Sequence, residues 1–137
     1  MKRKQFSLPA FTMQELLVVL VIVGILILLA LPSLMPLISR TRSLEAKQAL
    51  KHVHTLQKTY FYENSRYSSE INKIGFEQEV LVTDAENGKA NYKVEIIEAS
   101  PSAYVARATA VVDFDGDGEY NVWEINHKSE MIEVVPD

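Results

Sequence analysis

From Leu16 to Leu31 the chain reads LLVVLVIVGILILLAL, sixteen residues without a polar side chain, and continuing through PSLMPLI to Ile38 gives twenty-three. A helix needs about 20 apolar residues to cross ~30 Å of hydrocarbon, so this segment is long enough to span a bilayer. A cleaved secretory signal is the competing reading. Its apolar core is usually ~7 to 15 residues long and is followed by a small-residue cleavage site. Here the order is reversed: the basic leader MKRK and the small residue Ala10 both precede the run, and no A-x-A pattern ends it.

One carboxylate, Glu15, stands at the mouth of the run. An acid in a membrane helix is costly and is tolerated mainly where it finds a partner. Charge counting does not settle the orientation: Lys2, Arg3 and Lys4 precede the span, while Arg40, Arg42, Lys47 and Lys51 follow it closely. The formal net charge of -4 leaves no basic stripe and argues against nucleic acid as a generic partner. With no cysteines, neither a disulfide framework nor a thiolate metal site is available.

The stretch KQFSLPAFTMQELLVVLVIVGILILLALP, residues 4–32, resembles the N-terminus of type IV pilins and type II secretion pseudopilins. That family carries a short basic leader, a small residue that is usually Gly, then Phe-Thr-Leu-Ile-Glu and a long apolar helix. Matched residue by residue, Ala10 takes the last leader position, Phe11 would become the new N-terminus, and Glu15 falls at the acidic fifth mature position. Gly24 and Pro32 also fall where the family keeps a Gly and a Pro. The resemblance implies cleavage after Ala10 by a prepilin peptidase, methylation of Phe11, and pairing of the Phe11 amine with Glu15 of a neighbouring subunit during assembly. It further implies an inner-membrane subunit whose C-terminal domain lies in the periplasm. An inner-membrane assembly platform would then polymerise it with copies of itself and minor pilin-like subunits. The competing function is a single-pass membrane-anchored calcium-binding module that does not polymerise.

Past the span, Leu44, Ala46, Ala49, Leu50, Val53, Leu56, Tyr60 and Phe61 recur at helical spacing, with Lys47, Lys51 and Lys58 off that stripe. The expected helix therefore runs over 11–63, membrane-spanning to about 38, with Pro32 and Pro36 as kinks or loosened turns. Residues 64–137 read as a small β-rich domain. ENSRYSSE is a turn-rich exit, and strands are expected over 91–98, 103–112, 120–125 and 131–135. An Asn-Gly pair at 87–88 suits a hairpin. The expected fold is α+β: a leader over 1–10, a long N-terminal helix, and a small antiparallel sheet on which that helix packs in the pilin manner.

DFDGDGEYNVWE, residues 113–124, fits the EF-hand calcium-loop pattern D-x-D-x-D-G-x5-E. Calcium takes about six to eight oxygens. Asp113, Asp115 and Asp117 would supply carboxylates around the bend at Gly118, with the backbone carbonyl of Glu119, the side chain of Asn121 and Glu124 completing the set. Strands rather than helices flank the loop. The plain alternative is an acidic turn, since Asp-Gly pairs suit turns without metal. Residues 113–137 hold eight acids against Lys128 alone, which favours calcium. His52 and His54, two apart on a helix, do not face one way and make no metal pair; His127 reads as solvated and Trp123 as sheet core. No nucleophile-base set or phosphate loop is legible, so no enzyme is expected.

Overall fold

The structure, a computed structural model, describes residues 10–136. The basic leader expected over 1–10 lies outside the described residues apart from Ala10, as does Asp137. Two compact units divide the chain, Met1–Leu34 and Met35–Asp137. Helix α1 (Met13–Asn64) contributes backbone to both, and its backbone is helical at Pro32 and Pro36.

Within the first unit, α1 is apolar on every side. Met13–Pro32, 20 residues, is long and apolar enough to cross a membrane, and none of it is buried. Glu15 is its one charged residue. At 1.5 Å per residue this stretch is ~30 Å long, the thickness of a hydrocarbon core.

In the second unit α1 becomes one-sided. Ala46, Leu50, Val53 and Gln57, spaced four, three and four, are fully buried, which is the seam a 3.6-residue period places against a core. Leu44, expected on this seam, is 54% exposed: it lies two residues from Ala46, on the far side of the helix. The helix stops after Asn64, where Ser65 turns left-handed at φ 56° and its N–H bonds the Phe61 carbonyl at 2.8 Å.

The chain then returns along the helix. Ile71–Ile74 forms a 3-10 turn closed by Gly75 at φ 80°, which delivers Ile74 and Phe76 to the core. Four strands follow, β1 (Tyr92–Ala99), β2 (Tyr104–Ala110), β3 (Val122–Asn126) and β4 (Met131–Val135). They pair as an antiparallel meander in the order β1-β2-β3-β4, each within two residues of its expected bounds. On β2, Tyr104, Ala106, Ala108 and Ala110 alternate inward. Three alanines in a row on that face leave room for Leu50 and Val53 of the helix, which share one core cluster with them. The α+β arrangement expected from the sequence is the one the chain adopts.

The Asn87-Gly88 pair sits in a tight turn, with Gly88 N–H on the Ala85 carbonyl at 2.9 Å, but no antiparallel hairpin forms around it. Its flanks meet in a single parallel bridge, Leu81 to Ala90. A side chain at 88 would collide with the Leu81 carbonyl, 2.0 Å from the Cβ position. Glycine is thus required by this close approach and not by strand pairing. Beside it, the Gln78 side chain stands in for a neighbouring strand on the β1 edge, donating to the Tyr92 carbonyl at 3.1 Å and accepting from Val94 N–H at 2.9 Å.

Candidate functional site

At the mouth of α1, Thr12 is the N-cap and Leu16 N–H makes the first helical bond to its carbonyl at 3.2 Å. Thr12 Oγ1 accepts from Glu15 N–H at 3.3 Å, and Glu15 Oε2 accepts in return from Thr12 N–H at 2.7 Å and Thr12 Oγ1 at 3.0 Å. This reciprocal exchange is a capping box, and its T-x-x-E spacing is the signal that marks Thr12 in the sequence. The Glu15 carboxylate is thereby held at the helix N-terminus, where the backbone dipole favours negative charge. Phe11, one residue before the cap, is 80% exposed, and Ala10 is exposed beside it.

The acidic loop joins β2 to β3. Asp113 folds over it, Oδ1 accepting from Gly116 N–H at 2.6 Å and Oδ2 from Gly118 N–H at 2.8 Å. Asp115 Oδ1 accepts from Asp117 N–H at 3.1 Å, and Asp117 Oδ1 from Glu119 N–H at 2.7 Å. Gly116 and Gly118 turn through φ 83° and 92°, a conformation that suits glycine. One carboxylate oxygen each from Asp113, Asp115 and Asp117 lies within 4.8 Å of the others. The Gly118 and Gly116 N–H groups hold the Asp113 carboxyl below its ordinary pKa, so it stays ionised through the neutral range.

Other members of the expected ligand set lie elsewhere. Glu124 is on β3 directly opposite Arg107 of β2, and its Oε1 accepts from Arg107 Nη2 at 2.5 Å and Nε at 2.8 Å. Asn121, 1% exposed, spends its whole side chain on the core: Oδ1 accepts from the Tyr92 hydroxyl at 2.8 Å, and Nδ2 donates to Glu133 at 2.8 Å and to the Val135 carbonyl at 2.9 Å. Glu119 is exposed at the rim. Three carboxylates therefore converge while Asn121 and Glu124 are engaged with β1, β2 and β4. The loop is tied to the core through Phe114, whose ring lies 5.9 Å from Tyr92 and 6.0 Å from the Arg42 guanidinium.

The histidines separate, as their spacing on the helix requires. His52 meets the Phe76 ring at 5.8 Å, whereas His54 is buried with Nδ1 2.5 Å from the Tyr104 hydroxyl. His127 is half-buried near Tyr67. Trp123 packs against the core cluster, with the Lys47 ammonium 4.1 Å from its ring centre.

Over 69 residues, 50% of this chain, the sequence is 44% identical to the type IV major pilin protein PilA of Myxococcus xanthus (strain DK1622). The likeness is to a type IV pilin. It agrees with the resemblance carried by residues 4–32, and the pilin-like chain joins an apolar N-terminal helix to a four-stranded antiparallel sheet. The matched part covers 31% of that relative's length. No family model matches the chain.

Proposed function

We propose that this chain is a structural subunit of a type IV pilus-like or type II secretion pseudopilus filament, and not an enzyme. In this reading a prepilin peptidase cleaves between Ala10 and Phe11, Phe11 is methylated, and the subunit waits in the inner membrane with its C-terminal unit in the periplasm. An inner-membrane assembly platform then draws it into a filament with copies of itself and minor pilin-like subunits. The observation that carries the reading is the exposed span Met13–Pro32, charged only at Glu15 and preceded by Ala10 and Phe11. An acid at that place has a use in assembly, where a neighbour's Phe11 amine would find a charge-assisted partner in a low-dielectric setting. The likeness to a major pilin supports the polymerising reading over a solitary membrane-anchored module.

The test measures sheared-filament yield against total membrane-bound protein. Glu15→Leu should insert and lose its leader normally but fail to enter filaments, with Glu15→Gln intermediate. N-terminal sequencing of filaments should begin at Phe11, and their side-chain charge should move from -4 to -7 with loss of Lys2, Arg3 and Lys4. Filaments that retain Met1, or normal yield from Glu15→Leu, overturn the proposal.

We also propose calcium as the ligand of the acidic loop. The donor chemistry fits, because one carboxylate oxygen each from Asp113, Asp115 and Asp117 lies within 4.8 Å of the others and hard oxygens are what calcium selects. Asp113, Asp115 and Asp117 would hold it, with the Glu119 carbonyl as a further donor. The bound ion would neutralise the crowded acids and fasten the loop between β2 and β3.

A further inference from the structure

Where α1 ends, a cavity of about 320 Å³ opens between the turn after the helix, the 3-10 turn and the β1–β2 connection, lined by Tyr60, Arg66, Tyr67, Ser69, Lys73 and Ser100 among others. That volume is at the lower end of the ~300 to 1,000 Å³ common for small-ligand sites.

Its walls are fixed in advance. Ser68 has its backbone N–H and carbonyl both bonded by the buried Gln57 amide, at 3.0 and 2.8 Å. Its hydroxyl accepts from Glu70 N–H at 3.1 Å and donates to the Glu70 carbonyl at 3.0 Å. Across the cavity, Ser100 Oγ accepts from Ala103 N–H at 3.0 Å and donates to the Ala103 carbonyl at 3.1 Å, which locks that turn. A site whose walls are already ordered loses less conformational freedom when it binds.

The groups left free in this frame are donors. Among the described residues, the Arg66 guanidinium and the hydroxyls of Tyr60, Tyr67 and Ser69 make no hydrogen bond or ion pair. Arg66 offers five N–H groups and cannot accept, and each hydroxyl has a proton to give. Charge points the same way. The 2.5 Å bond to Glu70 raises the Lys73 pKa above its ordinary value, with the Arg66 charge a small opposing influence. Lys73 is thus paired with Glu70, and among the described residues Arg66 is the lining cation left without an ion pair. Net positive charge with convergent donors calls for an acceptor-rich, negatively charged ligand.

We propose that this pocket binds a small organic oxyanion, a carboxylate or a phosphate monoester, with its charged oxygens on Arg66 and its body against Tyr60 and Tyr67. The guanidinium fork matches either head group, and charge-assisted bonds of this kind are stronger than neutral ones. The organic body is part of the proposal, because the cavity exceeds what a bare ion fills.

The experiment titrates the full chain, in detergent micelles, with glucuronate, glucose 6-phosphate, glucose or inorganic phosphate, following backbone amide shifts of Ser69 and Ser100. Glucuronate, glucose 6-phosphate or both should saturate with a Kd of about 1 mM or tighter, and the tighter of the two identifies the head group. Inorganic phosphate should bind at least about tenfold more weakly and glucose more weakly still. Arg66→Gln, a change at an exposed side chain, should weaken binding by at least about tenfold, while Lys51→Gln, the same charge change on α1 outside the cavity, should stay within about twofold. The proposal is overturned if neither sugar acid saturates, if glucose or inorganic phosphate binds as tightly as they do, or if Arg66→Gln leaves the affinity unchanged.

Discussion

Replacing Gln57 by Leu puts an apolar side chain, one bond shorter, at a fully buried position and removes both polar atoms of the amide. The structure makes the cost calculable. Gln57 Nε2 donates to the Ser68 carbonyl at 2.8 Å, Oε1 accepts from Ser68 N–H at 3.0 Å, and Ser68 is itself only 5% exposed. Gln57→Leu therefore strands one backbone donor and one backbone acceptor away from water. Each such orphan costs ~1 to 3 kcal/mol, which gives ~2 to 6 kcal/mol before compensation. The leucine recovers part of this by burying apolar surface in place of an amide, ~1 to 2 kcal/mol, so the net loss should centre on about 2.5 kcal/mol. The assay is urea unfolding of the full chain in micelles, read by fluorescence of Trp123 on β3, the sole tryptophan. Gln57→Glu is the companion. It keeps an acceptor for Ser68 N–H but turns a second acceptor toward the Ser68 carbonyl and buries a charge. Burial raises a carboxyl pKa in the folded state above its unfolded value, so stability is greatest below the unfolded pKa and is lost as pH rises through the folded one. Its deficit should shrink on acidification while that of Gln57→Leu does not. A Gln57→Leu protein within about 0.5 kcal/mol of wild type would refute the view that this clamp holds the turn.

Calcium at about 100 times its Kd should stabilise the chain by about 2.7 kcal/mol by mass action, and Asp113→Asn should erase the effect; identical melting curves in calcium and in chelator would dispose of the metal. Leu50→Ala, at a fully buried seam position, should cost ~2 to 5 kcal/mol in the same urea assay, and a loss under about 1 kcal/mol would show that the helix is not seated as described. Burial, and then the Lys58 charge, hold His54 below its ordinary pKa of 6.5, against an opposing bond from the Asn126 backbone. The unfolded chain therefore takes up the proton first, and stability should fall as pH drops below about 6.5 and level off once the folded histidine also titrates. His54→Gln should flatten that slope, and an unchanged slope would assign it to other groups.

Much of this molecule could be read in advance because its strongest signals are local. An uninterrupted apolar run needs no tertiary information to be recognised, and alternation on β2 names its buried face directly. Gln57 shows where local reading stops. Its place on the seam follows from Ala46, Leu50 and Val53, but its partner Ser68 is set by where in the turn-rich exit the chain goes left-handed, which is at Ser65 and not at the neighbouring Asn64. The acidic loop divides in the same way. Spacing alone reads Asp113, Asp115, Asp117, Asn121 and Glu124 as one ligand set. The last two lie at the loop exit and on β3, however, where cross-strand partners compete for them. Arg107 faces Glu124 by register, and Tyr92, Glu133 and Val135 surround Asn121. Sequence spacing carries no information about those neighbours. Thr12 is the opposite case, since its T-x-x-E pattern with Glu15 is fully local and becomes plain once the helix start is fixed.

That cap bears on the proposed assembly step. Both Thr12 bonds fall on Glu15 Oε2, and among the described residues Oε1 makes no hydrogen bond. The carboxylate is thus oriented by one oxygen and available through the other, so an incoming amine does not have to displace the cap. If Thr12 serves to aim the acid, Thr12→Val, which keeps the side-chain shape and the backbone N–H but removes the hydroxyl, should lower filament yield without affecting membrane insertion or leader removal. Thr12→Ser should restore it, because serine caps as well as threonine. If the cap instead competes with the amine, the order reverses and Thr12→Val assembles best. Orientation is the stronger effect here, because a carboxylate free to rotate at an exposed helix end spreads its charge over many directions, whereas a docking subunit meets it along one. Filament yields for the two variants, normalised to membrane-bound protein, decide between them, and a Thr12→Val yield at or above wild type would rule out the aiming role.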